Sequence, residues 1–229
     1  MLAILNFCVG GKLLMGLLWL LAVFPAASVA MEPTLEAIDA QLQVTLSDGT
    51  QFRLAGIQPL GAKTALPANW QNAPLHVEVT GRNRYGQPVA WLRRQSDGQL
   101  LQNALLQNGA ALAYWHQNLV LPDDFNTKQQ LPRKAVFDAE NARQALDQWA
   151  VIEGTIYEVA ILKSAAYLNF AENWKEDFTI YLPKATMRQF DETALGDLKS
   201  KRVRVRGFVH SYYGPRITLL NPEMLEVIP

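Results

Sequence analysis

The sequence predicts a mainly β protein of the α+β class, and three observations predict it. Short runs alternate apolar and polar side chains, Asp-Gly and Tyr-Gly turns separate them, and helical spacing is confined to brief stretches in between. Composition agrees: 49% of the 229 residues are hydrophobic and 18% charged, with 12 prolines and 14 glycines, which excludes a disordered, collagenous or coiled-coil chain.

Residues 1–30 stand apart. Their single charged residue, Lys12, precedes the apolar run Leu13 to Phe24, and Ala26, Ala27, Ser28 and Ala30 follow. The run is too short for the roughly 20 apolar residues of a spanning helix. Ser28-x-Ala30 has the small-x-small pattern of a signal-peptidase site, so a secretory signal peptide cleaved after Ala30 is expected. A periplasmic or secreted location follows. The alternative is an uncleaved inner-membrane anchor, since Met1 to Val9 is apolar on the other side of Lys12. The one cysteine, Cys8, lies in this leader, and Leu5-Asn6-Phe7 before it do not resemble a lipoprotein acylation site. Beyond residue 30 the chain therefore has no disulfide-linked partner and no thiolate zinc site. The 21 basic and 21 acidic side chains of the full chain balance, so no global attraction to nucleic acid follows.

The elements follow in order. Val44 and Leu46 alternate with Thr45 and Ser47, Asp48-Gly49 turns the chain, and Phe52 and Leu54 resume the alternation. Leu75, Val77 and Val79 form a third strand, and Val89 to Leu92 a fourth after Tyr85-Gly86. Past Asp97-Gly98, Leu101, Ala104, Leu105 and Leu106 recur at helical spacing up to Gly109, which reads as a helix C-cap. Residues 116–132, with Pro122 and Pro132, read as a surface excursion. Val136, Phe137, Ala142, Leu146 and Trp149 suit an amphipathic helix from Lys134 to Trp149. Five β segments then follow: Val151 to Ile161, Tyr167 to Phe170, Phe178 to Leu182, Val203 to Val209 and Ile217 to Leu220. A helix from Ala185 to Leu198 precedes the fourth, which is the order of an OB-fold barrel. No internal repeat is visible.

Three blocks in the first half resemble the staphylococcal nuclease, or thermonuclease, family. They are Ser47-Asp48-Gly49-Thr50 leading into Phe52-Arg53-Leu54-Ala55-Gly56-Ile57, then Asn83-Arg84-Tyr85-Gly86-Gln87-Pro88-Val89-Ala90, then Asp97-Gly98 with Gln102 to Ala110. Ala145-Leu146-Asp147-Gln148-Trp149 is similar to the family's closing helix. The family fold is an OB-type barrel with helices, so the resemblance implies two tandem OB-type β-barrels, the first with flanking helices. The domains would be a signal peptide at 1–30, a thermonuclease-like domain at 31–150 and an OB-fold-like domain at 151–229. The second resembles an OB-fold region that follows thermonuclease-like domains in some bacterial secreted proteins, through Val151-Ile152-Glu153-Gly154, Tyr167-Leu168-Asn169-Phe170, Trp174 to Thr179 and Arg202 to Val209.

The family hydrolyses phosphodiesters with calcium. Carboxylates hold the cation, a glutamate activates water, and two arginines stabilise the phosphoryl charge. This chain departs from that set. Where the family reads Asp, a small residue, Pro and Glu after the Arg-Leu-Ala-Gly-Ile stretch, this chain has Gln58, Pro59, Leu60 and Gly61, which removes a metal carboxylate and the base. Gln87 stands for the second arginine, and Ile38-Asp39-Ala40-Gln41-Leu42 replaces an early Asp-Gly-Asp-Thr. Of the catalytic set only Arg53 remains, so the resemblance implies no catalytic residue and no calcium ligand set. Pro67 and Pro74 leave room for only a turn or two of the helix that follows the glutamate in the family.

Two groups of residues are candidate phosphate or nucleic-acid contacts. Arg53, Arg84 and Tyr85 fall where the family touches nucleotide phosphate; the alternative is a structural ion pair and a turn residue. Arg202, Arg204 and Arg206 alternate with Val203 and Val205 near Tyr212 and Tyr213, as in a strand that binds single-stranded nucleic acid. The alternative pairs them with Glu153, Glu158 or Glu176. His76, His116 and His210 are scattered without zinc spacing, and Asp123-Asp124 read as a solvated loop.

The function expected is that of an exported thermonuclease homologue without its catalytic groups, acting in binding or assembly with single-stranded nucleic acid or an envelope protein. The rival is a metal-dependent nuclease recruiting Asp39 and Asp48. Export is checked by mass spectrometry of the native protein. An N-terminus at Met31 is expected, and an intact leader in the membrane fraction would point to the anchor.

Overall fold

Side-chain caps set the first turns. β1 (Leu35–Ile38) and β2 (Gln43–Leu46) are antiparallel, and the Asp39 carboxylate between them accepts the N–H groups of Gln41 and Gln43, each at 2.8 Å. Asp48 accepts the Thr50 N–H at 2.8 Å, and Gly49, at φ 81°, completes the turn into β3 (Gln51–Leu54). The period of two then puts Val44, Leu46, Phe52 and Leu54 in the core and Arg53 on the other face. The computed structural model describes residues 32–60, 66–116, 118–127, 136–173 and 175–229. The leader with Cys8, Lys12 and Ser28-x-Ala30, and the positions Gly61, Pro132 and Trp174, lie outside the described residues.

Gly56 turns the chain from β3 into β4 (Ile57–Pro59). Its φ is 73°, and a Cβ there would collide with the Trp91 ring and lie 3.2 Å from that of Phe125. A single 3-10 turn, Ala68–Trp70, follows and buries Trp70. β5 (Leu75–Arg82) and β6 (Pro88–Arg94) form a hairpin whose second strand lies parallel to β3, giving the order β1-β2-β3-β6-β5. Ala90, Trp91 and Leu92 of β6 are all buried. α1 (Leu101–Gln107) contributes Leu101 and Leu105 to the core, and its buried Gln102 bonds the β6 main chain at Ala90 O (3.0 Å) and Leu92 N (3.4 Å). β7 (Ala111–Ala113) pairs with β4.

The second half comprises β8 (Val136–Asp138), β9 (Gln148–Thr155), β10 (Glu158–Ile161), β11 (Ala165–Asn169), β12 (Thr179–Pro183), α2 (Lys184–Met187), α3 (Glu192–Gly196), β13 (Arg202–Tyr212), β14 (Gly214–Thr218) and β15 (Leu225–Val227). Its sheet runs β10-β11-β12-β14-β13-β9-β8, with β15 also on β13. Both halves share one topology. Three strands run in antiparallel succession, and the third lies parallel to the later strand of a hairpin: β3 beside β6, and β12 beside β14. The sequence carries no repeat; the strand order does. Residues 32–229 form one unit, joined where Leu60 and Leu112 of the first half meet Val151, with Val136 and Trp149 against them. No described helix is long and apolar enough to cross a membrane.

Several expectations need correction. Of the helix expected over Lys134 to Trp149, the described part is β8, a 3-10 helix Ala139–Ala145 and the start of β9, because Val136–Asp138 finds a parallel partner in β9 and Asp147 adopts φ 60°. The segment Val151 to Ile161 is two strands, interrupted at Ile156-Tyr157. The helix expected over Ala185 to Leu198 is two, the second capped by Asp191, which accepts the Thr193 N–H at 2.8 Å. Phe52, Leu54, Phe178, Ile180, Val203 and Val205 are buried as the alternation requires, but Val77 is half-buried and Val79 is 55% exposed. Their strand is the sheet edge, and its register shifts between Val79 and Gly81. The 116–132 excursion is pinned where described: Phe125 is buried, 4.9 Å from the Trp91 ring.

Gly56 and Gly49 provide a paired test. Both have positive φ, but only Gly56 is enclosed. Gly56→Ala should destabilise the protein by about 2–4 kcal/mol through backbone strain and overpacking, and Gly49→Ala by about 1, as read by urea denaturation.

Candidate functional site

A cleft with a volume of about 750 Å³ is walled by both halves. β3 presents Arg53, whose side chain has no hydrogen-bond or ion-pair partner among the described residues. The β5–β6 hairpin adds Arg82, Arg84 and Tyr85. Arg82 donates to Gly86 O at 2.6 Å, and the Arg84 guanidinium stacks 4.7 Å from the Tyr85 ring, which is 71% exposed. Across the cleft, β13 and β14 supply Phe208, His210 and Thr218.

Aromatic rings join the two walls. Tyr114 lies 5.9 Å from His116 and 4.5 Å from Trp149, and Trp149 lies 5.8 Å from Phe208, centroid to centroid. Burial pushes the Tyr114 phenol above its ordinary range, so this ring is a neutral hydrogen-bonding and stacking surface. His210 accepts the Nε–H of Arg216 at 3.1 Å. Burial and then the Arg216 charge lower its pKa, which favours the neutral ring. The described lining holds three guanidinium groups and no carboxylate.

The departures from the thermonuclease pattern have visible structural counterparts. Gln58 lines the cleft on β4, opposite Leu112. Gln87 lies in a chain of amides: Asn83 Nδ2 donates to Gln87 Oε1 at 2.9 Å, Gln87 Nε2 to Gln43 Oε1 at 3.1 Å, and Gln43 Nε2 to Gln51 Oε1 at 2.7 Å. Asp39 and Asp48 cap their own turns and do not line the cleft. Calcium requires about six to eight oxygen ligands with carboxylates among them. The described lining offers none, and no group of three or more His, Cys, Asp or Glu among the described residues could hold a metal ion. The donor set does not fit calcium.

Of the expected site residues, the cleft unites Arg53, Arg84 and Tyr85 and excludes the β13 arginines. Arg204 donates to Glu153 Oε1 from Nε (2.8 Å) and Nη2 (2.6 Å), and Arg202 reaches Glu153 at 3.2 Å. Arg206 is only 4% exposed. It donates to Glu226 at 2.8 Å and to Thr127 O at 3.2 Å. Glu158 instead pairs with Lys199, the Glu176 main-chain carbonyl accepts from Arg143, and Asp124 pairs with Arg93. Sequence reasoning missed Arg82 and the ring series, and it treated His116 and His210 as scattered although both line this cleft. Long-range strand pairing brings them together, and no local spacing encodes that.

Comparison with known proteins adds no assignment: no family model matches the chain, and no curated protein matches it. The thermonuclease resemblance stands on the quoted residues.

The His210 environment gives a pH prediction. A native pKa below the ordinary 6.5 means that the unfolded state takes up the proton first, so stability should fall as pH drops below about 6.5 and level off beneath the native pKa. An NMR titration should place the His210 midpoint below 6.5, and His210→Gln should flatten this part of the stability profile.

Proposed function

We propose that this chain is an exported, thermonuclease-like protein of two tandem OB-type barrels that has no catalytic set and binds single-stranded nucleic acid in the cleft between its halves. The observation that carries the reading is the lining of that cleft: Arg53, Arg82 and Arg84 beside exposed Tyr85, with no carboxylate among its described lining residues. Guanidinium groups suit phosphate oxygens, and an exposed ring suits a base face. The shared strand order supports the barrel reading, as does the gap of only Ile156 and Tyr157 between β9 and β10, which lie at opposite parts of one sheet order.

Hydrolysis is disfavoured by the same lining. Loss of a general base costs about a hundred- to ten-thousand-fold, and loss of a charge-stabilising donor about a hundred- to a thousand-fold. With base, metal carboxylates and second arginine all replaced, little turnover remains. A lone aspartate at position 58 would still lack the other oxygen ligands that calcium needs.

The purified protein should bind a labelled single-stranded oligonucleotide in a salt-dependent way. Arg53→Gln and Arg84→Gln should each weaken binding about tenfold, and calcium, magnesium or manganese should elicit no cleavage of DNA or RNA. Gln58→Asp alone should not restore cleavage. Metal-dependent turnover abolished by Asp39→Ala or Asp48→Ala would overturn the reading in favour of a nuclease. Absence of oligonucleotide binding would favour an envelope-protein ligand.

A further inference from the structure

The cleft does not end at His210. Arg216 of β14, which donates to His210, lies between two tyrosine rings, with its guanidinium carbon 3.9 Å from the Tyr212 centroid and 4.9 Å from that of Tyr181. Tyr181 in turn lies 5.3 Å from Tyr167 on the next strand. Register explains the alignment. Tyr167 pairs with Tyr181, Tyr181 with Thr218, and Arg216 with His210, so one face of β11, β12, β14 and β13 carries these groups in a row. Thr218 and His210 already line the cleft.

We propose that the outer face of β11–β12–β14–β13 is a second binding segment continuous with the cleft, so that one strand of nucleic acid passes from Arg53 and Arg84 over His210 to Arg216, Tyr181 and Tyr167. The proposal rests on the reading of the cleft as a nucleic-acid site and extends its length. The ligand class follows from the one guanidinium group set among rings along the row, which continues the arginines of the cleft. A single strand presents phosphate and base in turn, guanidinium groups match the first, and π faces match the second regardless of base identity. Arg216 is preorganised: two rings and the His210 nitrogen fix its plane, so little side-chain entropy is lost on binding. Tyr212 is 56% exposed at the open side of the stack, where a base can meet it. The nearest strand beyond the row, β10, places Glu158 opposite Asn169, and Lys199 neutralises that carboxylate at 2.5 Å.

The β13 arginines contribute nothing to this track. Arg202, Arg204 and Arg206 are held in a cluster with the carboxylates of Glu153 and Glu226. Arg216 has no acidic partner among the described residues and supplies the guanidinium group of this row.

The test compares fluorescein-labelled oligothymidylates of about 4 and about 16 nucleotides, the range of site sizes for one such barrel. The wild-type protein should bind the longer probe at least tenfold more tightly. Tyr212→Ala, a surface substitution that leaves the core intact, should cost about tenfold on the longer probe and no more than about twofold on the shorter. Arg216→Gln should do the same and lower the salt dependence of the longer probe by about one phosphate contact. If the longer probe is indifferent to both variants yet is lost with Arg53→Gln, the extension is overturned and the cleft reading survives. If neither probe binds the wild-type protein, both readings fall. Binding of an anionic polysaccharide that is sensitive to Tyr212→Ala, with no binding of the long oligothymidylate, would overturn the proposal in favour of a glycan.

Discussion

The contact on which the rest depends is that of Trp149 with the rings on either side of it. The β9–β13 ladder places Trp149 opposite Phe208, and the same indole meets Tyr114, which follows β7. One side chain therefore belongs to both halves. Its position decides how far the β3 and β5–β6 cations stand from β13 and β14, and so the width of the cleft. The small apolar cluster of Leu60, Leu112 and Val151 behind it removes water from the joint and makes the separation a property of the fold.

Electrostatics adds a second layer. The chain is neutral overall, which argues against a polyanion ligand only if charge is spread evenly. It is not. Glu153 and Glu226 hold the three β13 arginines, Asp97 pairs with Arg94, and Asp124 pairs with Arg93. The Asp97 and Asp124 carboxyls are held below their ordinary range by these hydrogen-bonded guanidinium groups, so both pairs stay ionised. Arg53 and Arg84, without an acidic partner among the described residues, line the cleft beside Arg82, so a balanced composition conceals a locally cationic surface.

Much of the fold was legible from the chain because it is written locally. Asp48-Gly49 and Asp97-Gly98 turn where their chemistry demands, Val203 and Val205 alternate inward, and Gly109 ends α1 with φ 71°. The failures occur where partners are distant. Val136 and Phe137 look helical until β9 offers a parallel neighbour, and Val79 looks buried until the edge position and register shift of β5 are known. The site divides in the same way. Arg53, Arg84 and Tyr85 share recognisable local motifs, whereas His116, Trp149, His210 and Arg216 converge only through strand pairing across the molecule.

The amide chain from Asn83 to Gln51 has a consequence of its own. Each of its middle members donates from nitrogen and accepts at oxygen, so the whole chain runs in one direction. A side chain that only donates cannot replace Gln87 without leaving the Asn83 amide hydrogen with no acceptor, and one that only accepts would strand the Gln43 oxygen. Position 87 is thus constrained from both sides: a side chain that only donates requires the Asn83 amide to turn over, and one that only accepts requires those of Gln43 and Gln51 to do so.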